Sequence, residues 1–295
     1  MDSIQLKKLF RNITVWKKGQ QRAPHKPLLL LYALANLSRG GGARLPYSLV
    51  DKDLRSLLIQ FGPTRKSDHP EFPFWRLQND GLWTLYGAKK VKLRKGSTDA
   101  PRTQLLKYDV HGGFRKEVKE ALSANAGLVK EIAADILQAH FPSSMHDDIL
   151  TAVGLDISGS ASKTKRDPAF RDNVLTAYEY RCAVCGFDVR IGNQTLGLEA
   201  AHVKWHQAGG PDTVNNGLAL CTLHHKALDY GAFTISTEHR VLVSEKAHGS
   251  RGFDEWLMEY HGHPVAEPVN QAYVVDAPYL EWHKREVFKG EERPL

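Results

Sequence analysis

Every cysteine of the chain lies at a spacing that is typical of zinc ligands. Cys182 and Cys185 form a CxxC pair, and Cys221 forms a CxxH pair with His224. Two intervening residues let both side chains of a turn reach one tetrahedral ion, and thiolates with an imidazole suit Zn²⁺. A redox role for the CxxC pair would leave the second pair without a purpose. We predict a structural zinc site, because four protein ligands leave no open position for a substrate.

A second set of residues has the types needed to hydrolyse a phosphodiester. His202 ends a strand-like run, Asn216 precedes a second one, and His225 opens a helical segment. The reaction needs an activated water, a cation near the phosphate and help for the leaving oxygen. The order of these three residues, interleaved with the CxxC and CxxH pairs over about residues 181–231, resembles the HNH (ββα-metal) nucleases.

This resemblance implies a role for each of the three residues. In HNH nucleases the histidine that ends the first strand is the general base, and His202 matches it. The asparagine of the family supports the loop that carries the base, and Asn216 matches it. The histidine that opens the helix binds the catalytic metal, which His225 matches. The resemblance therefore implies a catalytic divalent cation, Mg²⁺, Mn²⁺ or another, in addition to the structural zinc.

One position departs from the pattern of that family. Many HNH nucleases carry Asp or His directly before the base as a second metal ligand, and this chain has Ala201 there. In a regular strand Glu199 shares the face of position 201, so we predict that Glu199 supplies the carboxylate; a surface glutamate is the alternative. Asp229, four residues after His225, is expected to orient that histidine or to cap local backbone.

The positive charge of the chain is concentrated in its first half. The net charge is +7 over 295 residues, with +11 in residues 1–155 and −4 in residues 156–295. A polyanion is therefore the expected partner of the N-terminal half. A short run of small polar residues between the halves has the composition of a flexible linker. We predict a DNA-recognition domain at 1–155, a linker at 156–167 and an endonuclease domain at 168–295.

A basic stretch in the N-terminal half alternates charged and apolar residues. If residues 89–95 form a strand, Lys90, Lys92 and Arg94 share one face at intervals of about 7 Å, which suits contacts with phosphates. The alternative is a solvated edge strand that lysines protect from pairing. The charge of the domain favours contact with nucleic acid.

Two motifs in this half are more specific than its charge. They are RAPHKPLLL at residues 22–30 and HPEFPFWRL at residues 69–77. Together they resemble the paired signatures of the DNA sulfur-binding domain, over roughly residues 4–155. That domain occurs in type IV restriction endonucleases that act on phosphorothioate-modified DNA, frequently fused to an HNH module. The resemblance implies that the partner is double-stranded DNA carrying phosphorothioate.

The chemistry of a phosphorothioate explains these residue types. Sulfur in place of a non-bridging oxygen is larger, softer and poorly hydrated, so a selective pocket is apolar where sulfur enters and cationic at its rim. The resemblance implies that Phe72 and Pro73 form the apolar wall, with Phe72 lacking the hydroxyl of a tyrosine; core packing is the alternative. The residues expected to hold phosphates or base edges are Arg22, His25, Lys26 and Arg76.

The hydrophobic pattern predicts an α+β protein, with a mixed α/β N-terminal domain and a C-terminal ββα-metal domain that contains the zinc knuckle. No run reaches the ~20 apolar residues of a membrane helix, and the N-terminus lacks a secretory signal, so we expect a cytoplasmic protein without a membrane partner. Strands are predicted at Trp75–Leu77 and Leu82–Tyr86 around an Asn79-Asp80-Gly81 turn. The helices are predicted over residues 4–17, 27–37, most of 114–140, and 145–154.

These features predict a modification-dependent restriction endonuclease that binds phosphorothioated DNA and hydrolyses phosphodiester bonds nearby. One alternative is also an HNH endonuclease, but its basic domain recognises methylated cytosine or an unmodified sequence. The alternative from another class is a non-catalytic zinc-containing DNA-binding protein, which the intact His202, Asn216 and His225 argue against and Ala201 leaves open. Two cuts in a duplex suggest a homodimer, although no segment of the sequence shows an interface.

Overall fold

A computed structural model describes residues 1–15, 19–158 and 168–294 of the chain. The chain forms two compact units, Met1–Lys163 and Thr164–Leu295. Both units combine helices and strands, so the predicted α+β class is confirmed. None of the helices in the described ranges combines the length and the hydropathy that crossing a bilayer requires.

Some predictions fall on residues that the structure does not describe. Most of the linker predicted at 156–167 lies outside the described residues. The same holds for Trp16, near the end of the helix predicted over residues 4–17. Within the described residues this helix is shorter than predicted, because it ends at Arg11.

The N-terminal unit is built around one buried helix. Side chains from Leu28 to Ala35 are buried on every side of this helix, and Pro27 lies in its first turn, where the missing N–H costs no helical hydrogen bond. The helices of this unit are α1 (Ser3–Arg11), α2 (His25–Ser38), α3 (Tyr47–Phe61), α4 (Glu71–Arg76), α5 (Arg102–Lys107), α6 (Lys116–Ala124), α7 (Ala126–His140) and α8 (His146–Val153).

A small antiparallel sheet completes the N-terminal unit. Its strands lie in the order β1-β3-β2. Trp83 packs edge-on against both Phe74 and Phe114, which joins the sheet to α4. The strands are β1 (Leu45–Pro46), β2 (Trp83–Tyr86) and β3 (His111–Phe114).

The strand predicted at Trp75–Leu77 is wrong. Trp75 and Arg76 end helix α4, and a 3₁₀ turn at Leu77–Asp80 follows, so the predicted turn connects a helix to β2 instead of joining two strands. The buried apolar residues of this segment include Pro73, Phe74 and Leu77, whose spacing of three and four residues is that of a helix.

The strand predicted over residues 89–95 is also wrong. A 3₁₀ turn ends at Lys90, and irregular backbone follows. Lys92 and Arg94 therefore do not continue a regular ladder of charges from Lys90. Leu93 is 47% exposed, so the apolar positions of this alternating pattern do not form the buried face on which a strand would pack.

The C-terminal unit contains a two-stranded ribbon that is followed directly by a helix. Its hydrophobic core includes Phe170, Val174, Leu198 and Leu220. In chain order the elements are α9 (Pro168–Ala177), β4 (Arg190–Ile191), β5 (Gln194–Thr195), β6 (Leu198–His202), β7 (Gly217–Cys221), α10 (Thr222–Asp229), β8 (Phe233–Ile235), β9 (Val241–Val243), α11 (Arg251–Trp256) and α12 (Ala277–Glu286).

The β6–β7 ribbon and α10 form the predicted ββα arrangement. The two strands are antiparallel, with Leu198 opposite Cys221 and His202 opposite Gly217. Helix α9 packs on this ribbon, and a Cβ at Gly217 would lie 2.5 Å from Val174. Glycine is therefore required where α9 approaches the ribbon most closely.

We predict that Leu30→Ala lowers the free energy of unfolding of the N-terminal unit by about 2–5 kcal/mol, because it opens a cavity in the fully buried α2. Leu49→Ala is the matched control, since Leu49 is 43% exposed and its truncation leaves no cavity. Urea unfolding of the full chain measures both. Equal losses would show that α2 is not the centre of the core.

Candidate active site and DNA-binding cavity

The three cysteines and His224 converge on one point in the C-terminal unit. The ligand atoms all lie within 4.8 Å of one another. Cys182 Sγ lies 3.7 Å and Cys221 Sγ 3.2 Å from His224 Nδ1, and Cys185 Sγ lies 4.0 Å from Cys221 Sγ. Ligand pairs of a tetrahedral zinc site are about 3.5–3.8 Å apart, so the donor set and its spacing fit such an ion.

The surroundings of this cluster favour ligation through His224 Nδ1. The other ring nitrogen, Nε2, donates to the carbonyl oxygen of Trp256 at 2.8 Å, which fixes the ring orientation. Hydrogen bonds from Cys185 and Cys221 lower the pKa of the Cys182 thiol. The pKa of the Cys185 thiol is raised by the same pairing with Cys182. The cluster therefore stabilises a thiolate among its members.

His202 is held by an aromatic ring and a carboxylate. Its imidazole stacks on Phe170 of α9, with ring centroids 4.0 Å apart and an interplanar angle of 17°. Its Nε2 lies 2.7 Å from Asp212 Oδ1, and His206 Nδ1 approaches the same oxygen at 3.2 Å. Because an ionised carboxylate only accepts hydrogen bonds, this pairing places the ring proton on Nε2 of His202.

Asn216 fixes the loop between the two strands of the ribbon. Its buried side chain accepts a hydrogen bond from Lys204 N at 2.8 Å and donates to Lys204 O and Pro211 O, each at 3.0 Å. A Cβ at Gly210 would lie 1.8 Å from Lys204 O, so the loop closes tightly around the amide. These hydrogen bonds limit the movement of the loop that follows His202.

His225 lies between two carboxylates. Its Nδ1 is 2.5 Å from Glu199 Oε2, and its Nε2 is 3.3 Å from Asp229 Oδ2. The structure therefore brings together Glu199 and His225, the two residues predicted to share the catalytic metal. Asp229 reaches the same ring from one helical turn away. Carboxylate and imidazole donors suit Mg²⁺, Mn²⁺ and related divalent ions, so the donor set fits the expected cation.

A cavity of about 680 Å³ opens in the N-terminal unit. Its lining combines residues from the two sequence motifs, at 22–30 and at 69–77, and Asp80 lies beside them. Burial lowers the pKa of His25, so a neutral imidazole lines the cavity near pH 7. The cavity contains all six residues predicted to form the sulfur pocket: Arg22, His25, Lys26, Phe72, Pro73 and Arg76.

The ring of Phe72 is held in a fixed position at the cavity wall. His69 stacks on it, with ring centroids 4.7 Å apart and an interplanar angle of 20°. The guanidinium groups of Arg76 and Arg94 lie 4.7 and 5.0 Å from the ring centroid. Arg94 also pairs with Glu71 at 2.8 Å. Cations over an aromatic face stabilise its orientation, so Phe72 presents a preformed apolar surface.

Three of the five basic residues at 89–95 were predicted to bind DNA, and the structure places them outside a regular strand. Arg94 contacts Phe72, which lines the cavity, and pairs with Glu71. Among the described residues that line the cavity, Lys90, Lys92 and Arg94 are not included. Their assignment to DNA binding stays a prediction, without the regular strand on which it was based.

Sequence reasoning missed the carboxylates that partner the predicted residues. His202 pairs with Asp212 and stacks on Phe170. In the N-terminal unit, Lys26 pairs with Asp80 and Arg76 pairs with Asp99. The sequence offered no signal for Asp80 or Asp99, since neither acidic residue belongs to a recognisable motif. Asp212, ten residues after His202, lies within the loop that Asn216 closes.

Two sequence models of protein families match the chain. The ScoMcrA-like DNA sulfur-binding domain matches residues 3–158, which is more than half of the chain. The chain belongs to the ScoMcrA-like DNA sulfur-binding domain family. The HNH endonuclease family matches residues 182–236, so the C-terminal unit contains an HNH domain and the chain is a nuclease. Both resemblances predicted from the motifs are confirmed.

Several solved structures also match part of the chain. The sulfur binding domain of ScoMcrA complexed with phosphorothioated DNA is 20% identical with a TM-score of 0.46, and the match covers 50% of this chain and 94% of that one. The corresponding SprMcrA complex is 21% identical with a TM-score of 0.46, covering 52% and 95%.

The type IV phosphorothioation-dependent restriction endonuclease ScoMcrA itself is 18% identical with a TM-score of 0.44, and the match covers 55% of this chain and 30% of that enzyme. The family assignment depends on the match of residues 3–158 to the family model. No curated protein matches the chain significantly.

We predict that His224→Ala removes the bound metal and unfolds the C-terminal unit, because the binding energy of a structural ion is also folding energy. His225→Ala is the matched control, since the neighbouring histidine lies outside the cluster. Native mass spectrometry measures metal content, and circular dichroism measures folding. Cys221→Ser should behave like His224→Ala. Retention of one zinc per chain in either cluster variant would contradict the assignment.

Proposed function

We propose that this chain is a restriction endonuclease directed to phosphorothioated DNA, in which the N-terminal unit binds the modified DNA and the HNH domain hydrolyses phosphodiester bonds nearby. The observation that carries the proposal is the composition of the N-terminal cavity. An apolar wall and several cations, predicted from two separate motifs, line one space large enough for part of a nucleotide. The family, whose description names DNA sulfur binding, supports the same partner.

Binding divides between charge and apolar contact. The +11 charge of residues 1–155 attracts the DNA backbone without regard to modification. The preformed ring of Phe72 and the buried Pro73 offer a surface that rewards a poorly hydrated sulfur more than an oxygen. Arg22 and Arg76 lie at the same cavity and are placed to contact phosphate or base edges.

Hydrolysis uses His202 as the general base. Since Nε2 of His202 donates to Asp212, its Nδ1 has the lone pair that accepts a proton from the attacking water. The stacked ring of Phe170 and the carboxylate together hold the imidazole in one orientation. Asn216 fixes the loop that carries Asp212, so the base and its partner are positioned by the same closed loop.

Glu199 and His225 would hold the catalytic cation, proposed to be Mg²⁺ or Mn²⁺. When bound, the cation supplies positive charge for the crowded phosphate and for the leaving oxygen. Asp229, buried at 2% exposure, orients the ring of His225 from the next turn of α10. The ion of the Cys182–His224 cluster is proposed to be Zn²⁺, and its role is structural because the four side chains surround the position.

Two further expectations from the sequence stay predictions. A homodimer would supply two active sites for the two strands of a duplex, and sedimentation of the chain with and without DNA measures it. The cytoplasmic location agrees with the presence of DNA as a partner and is measured by fractionation of cells.

We predict that His202→Ala slows cleavage by at least about 10²–10⁴-fold and leaves DNA affinity nearly unchanged, because a general base acts in the chemical step. His248→Ala serves as the control, since His248 is an exposed histidine away from the ribbon. Single-turnover cleavage of phosphorothioated plasmid with Mn²⁺ gives the rate, and titration gives the affinity. Lost binding with residual cleavage would assign the base to another residue.

We predict that Phe72→Ala removes the preference for phosphorothioated DNA and spares weak, salt-sensitive binding, because only sulfur gains from an apolar contact. Burying a sulfur-sized group contributes about 1–3 kcal/mol, or roughly 5- to 150-fold discrimination. Leu93→Ala is the control, as it removes exposed apolar surface outside the cavity.

The measurement is a pair of titrations at several salt concentrations, with a duplex carrying a single phosphorothioate and its unmodified twin. Equal affinities for the unaltered chain would refute sulfur recognition and favour methylated cytosine as the modification. A preference that survives Phe72→Ala would locate the sulfur contact elsewhere in the cavity.

A further inference from the structure

A carboxylate lies in the wall of a cavity that is expected to receive an anion. Asp80 lines the cavity and forms an ion pair with Lys26, which lines it too. The side chains of the pair are 3% and 11% exposed, so they face each other in a poorly hydrated place. A carboxylate at this position repels a phosphate, and the Lys26 charge that would attract it is already compensated.

The position of Asp80 is fixed by two independent contacts. Its Oδ2 pairs with Lys26 Nζ, and its Oδ1 accepts a hydrogen bond from the backbone N–H of Thr14 at 3.0 Å. The residue ends the 3₁₀ turn Leu77–Asp80, directly before the left-handed Gly81. The carboxylate is therefore part of the cavity wall and not a mobile surface group.

A second cation of the cavity is compensated in the same way. Arg76 donates two hydrogen bonds of 2.6 Å each to the two oxygens of Asp99. These bonds raise the pKa of Arg76 and lower that of Asp99, so both members keep their charges. Lys26 and Arg76, two of the cavity's cations, thus each have a carboxylate partner, and neither contributes a net charge locally.

We propose that Asp80 is a specificity-determining residue, which holds Lys26 in an ion pair so that the cavity rejects the oxygen of an ordinary phosphate. The inference rests on the proposed function, since it presumes that the cavity receives the modified phosphate. It differs from the assignment of Lys26 as a simple phosphate contact, because the lysine is given a partner within the protein.

The Lys26–Asp80 ion pair affects selectivity because oxygen and sulfur differ in hydration and in hydrogen-bond strength. A phosphate oxygen loses strongly bound water when it enters the cavity, and charge-assisted hydrogen bonds are what repay that loss. Sulfur is a weak acceptor that loses less water and gains from contact with Phe72 and Pro73. An ammonium group released from its pair would therefore help the oxygen more than the sulfur.

The test compares Asp80→Asn with the unaltered full chain in the two titrations, with no divalent cation added so that the DNA stays intact. The asparagine keeps an oxygen for the Thr14 N–H and removes the charge. We expect the affinity for unmodified duplex to rise by roughly tenfold, the size of one charge-assisted hydrogen bond, and that for modified duplex by less than about threefold. The preference for sulfur therefore falls.

Asp135→Asn is the matched control. Asp135 of α7 pairs with Arg11 at 2.8 Å, and neither residue is among the described residues that line the cavity. The substitution makes the same change in the charge of the unit, so it raises both affinities equally and leaves their ratio unchanged. An equal fall of the ratio in both variants would show a general charge effect and overturn the proposal.

A double variant, Lys26→Met with Asp80→Asn, removes both charges of the pair. The proposal expects it to keep most of the preference for sulfur, because no ammonium is released. A folded double variant without preference overturns the proposal, and this remains decisive if Asp80→Asn alone fails to fold. An unchanged ratio in Asp80→Asn also overturns it. If the unaltered chain itself shows no preference, the proposed function fails instead.

Discussion

The cost of burying a polar group without a partner is the constraint on which both sites depend. In the HNH domain it is met at Asn216, whose buried amide makes three hydrogen bonds to the loop between β6 and β7. Satisfying this one side chain requires the loop to close in one conformation, and that conformation brings Asp212 to His202. The orientation of the His202 imidazole is thus a consequence of a hydrogen-bond requirement at a different residue, Asn216.

The same constraint has a different result in the N-terminal unit. There three buried carboxylates require partners, and each is paired with a cation of the protein: Asp80 with Lys26, Asp99 with Arg76 and Glu71 with Arg94. Two of these pairs also place a guanidinium over Phe72. Pairing within the protein lowers the attraction for any anion and holds an aromatic ring rigid, so apolar contact decides more of the discrimination.

The parts of the site that the sequence predicted are those that local geometry determines. The CxxC and CxxH pairs and the order His202, Asn216, His225 lie on a ribbon and the helix after it, where spacing along the chain fixes spacing in space. The stretch around Lys92 shows what such a pattern cannot predict. Alternation of charged and apolar residues does not tell whether the apolar side chains will pack against a core. The partners Asp80 and Asp99 were beyond prediction, since an ion pair across 54 or 23 residues depends on how whole elements pack.

The departure at Ala201 follows from the packing of β6. Ala201 is fully buried opposite Leu218, so a carboxylate there would need a compensating charge inside the apolar core of the unit. Glu199, whose side chain is 48% exposed, keeps access to water and still reaches His225 of α10. In this chain position 201 of β6 contributes to the core, and the carboxylate of Glu199, two residues earlier, provides negative charge beside His225. At position 199 the carboxylate keeps part of its hydration, so its charge is less costly there than it would be at position 201.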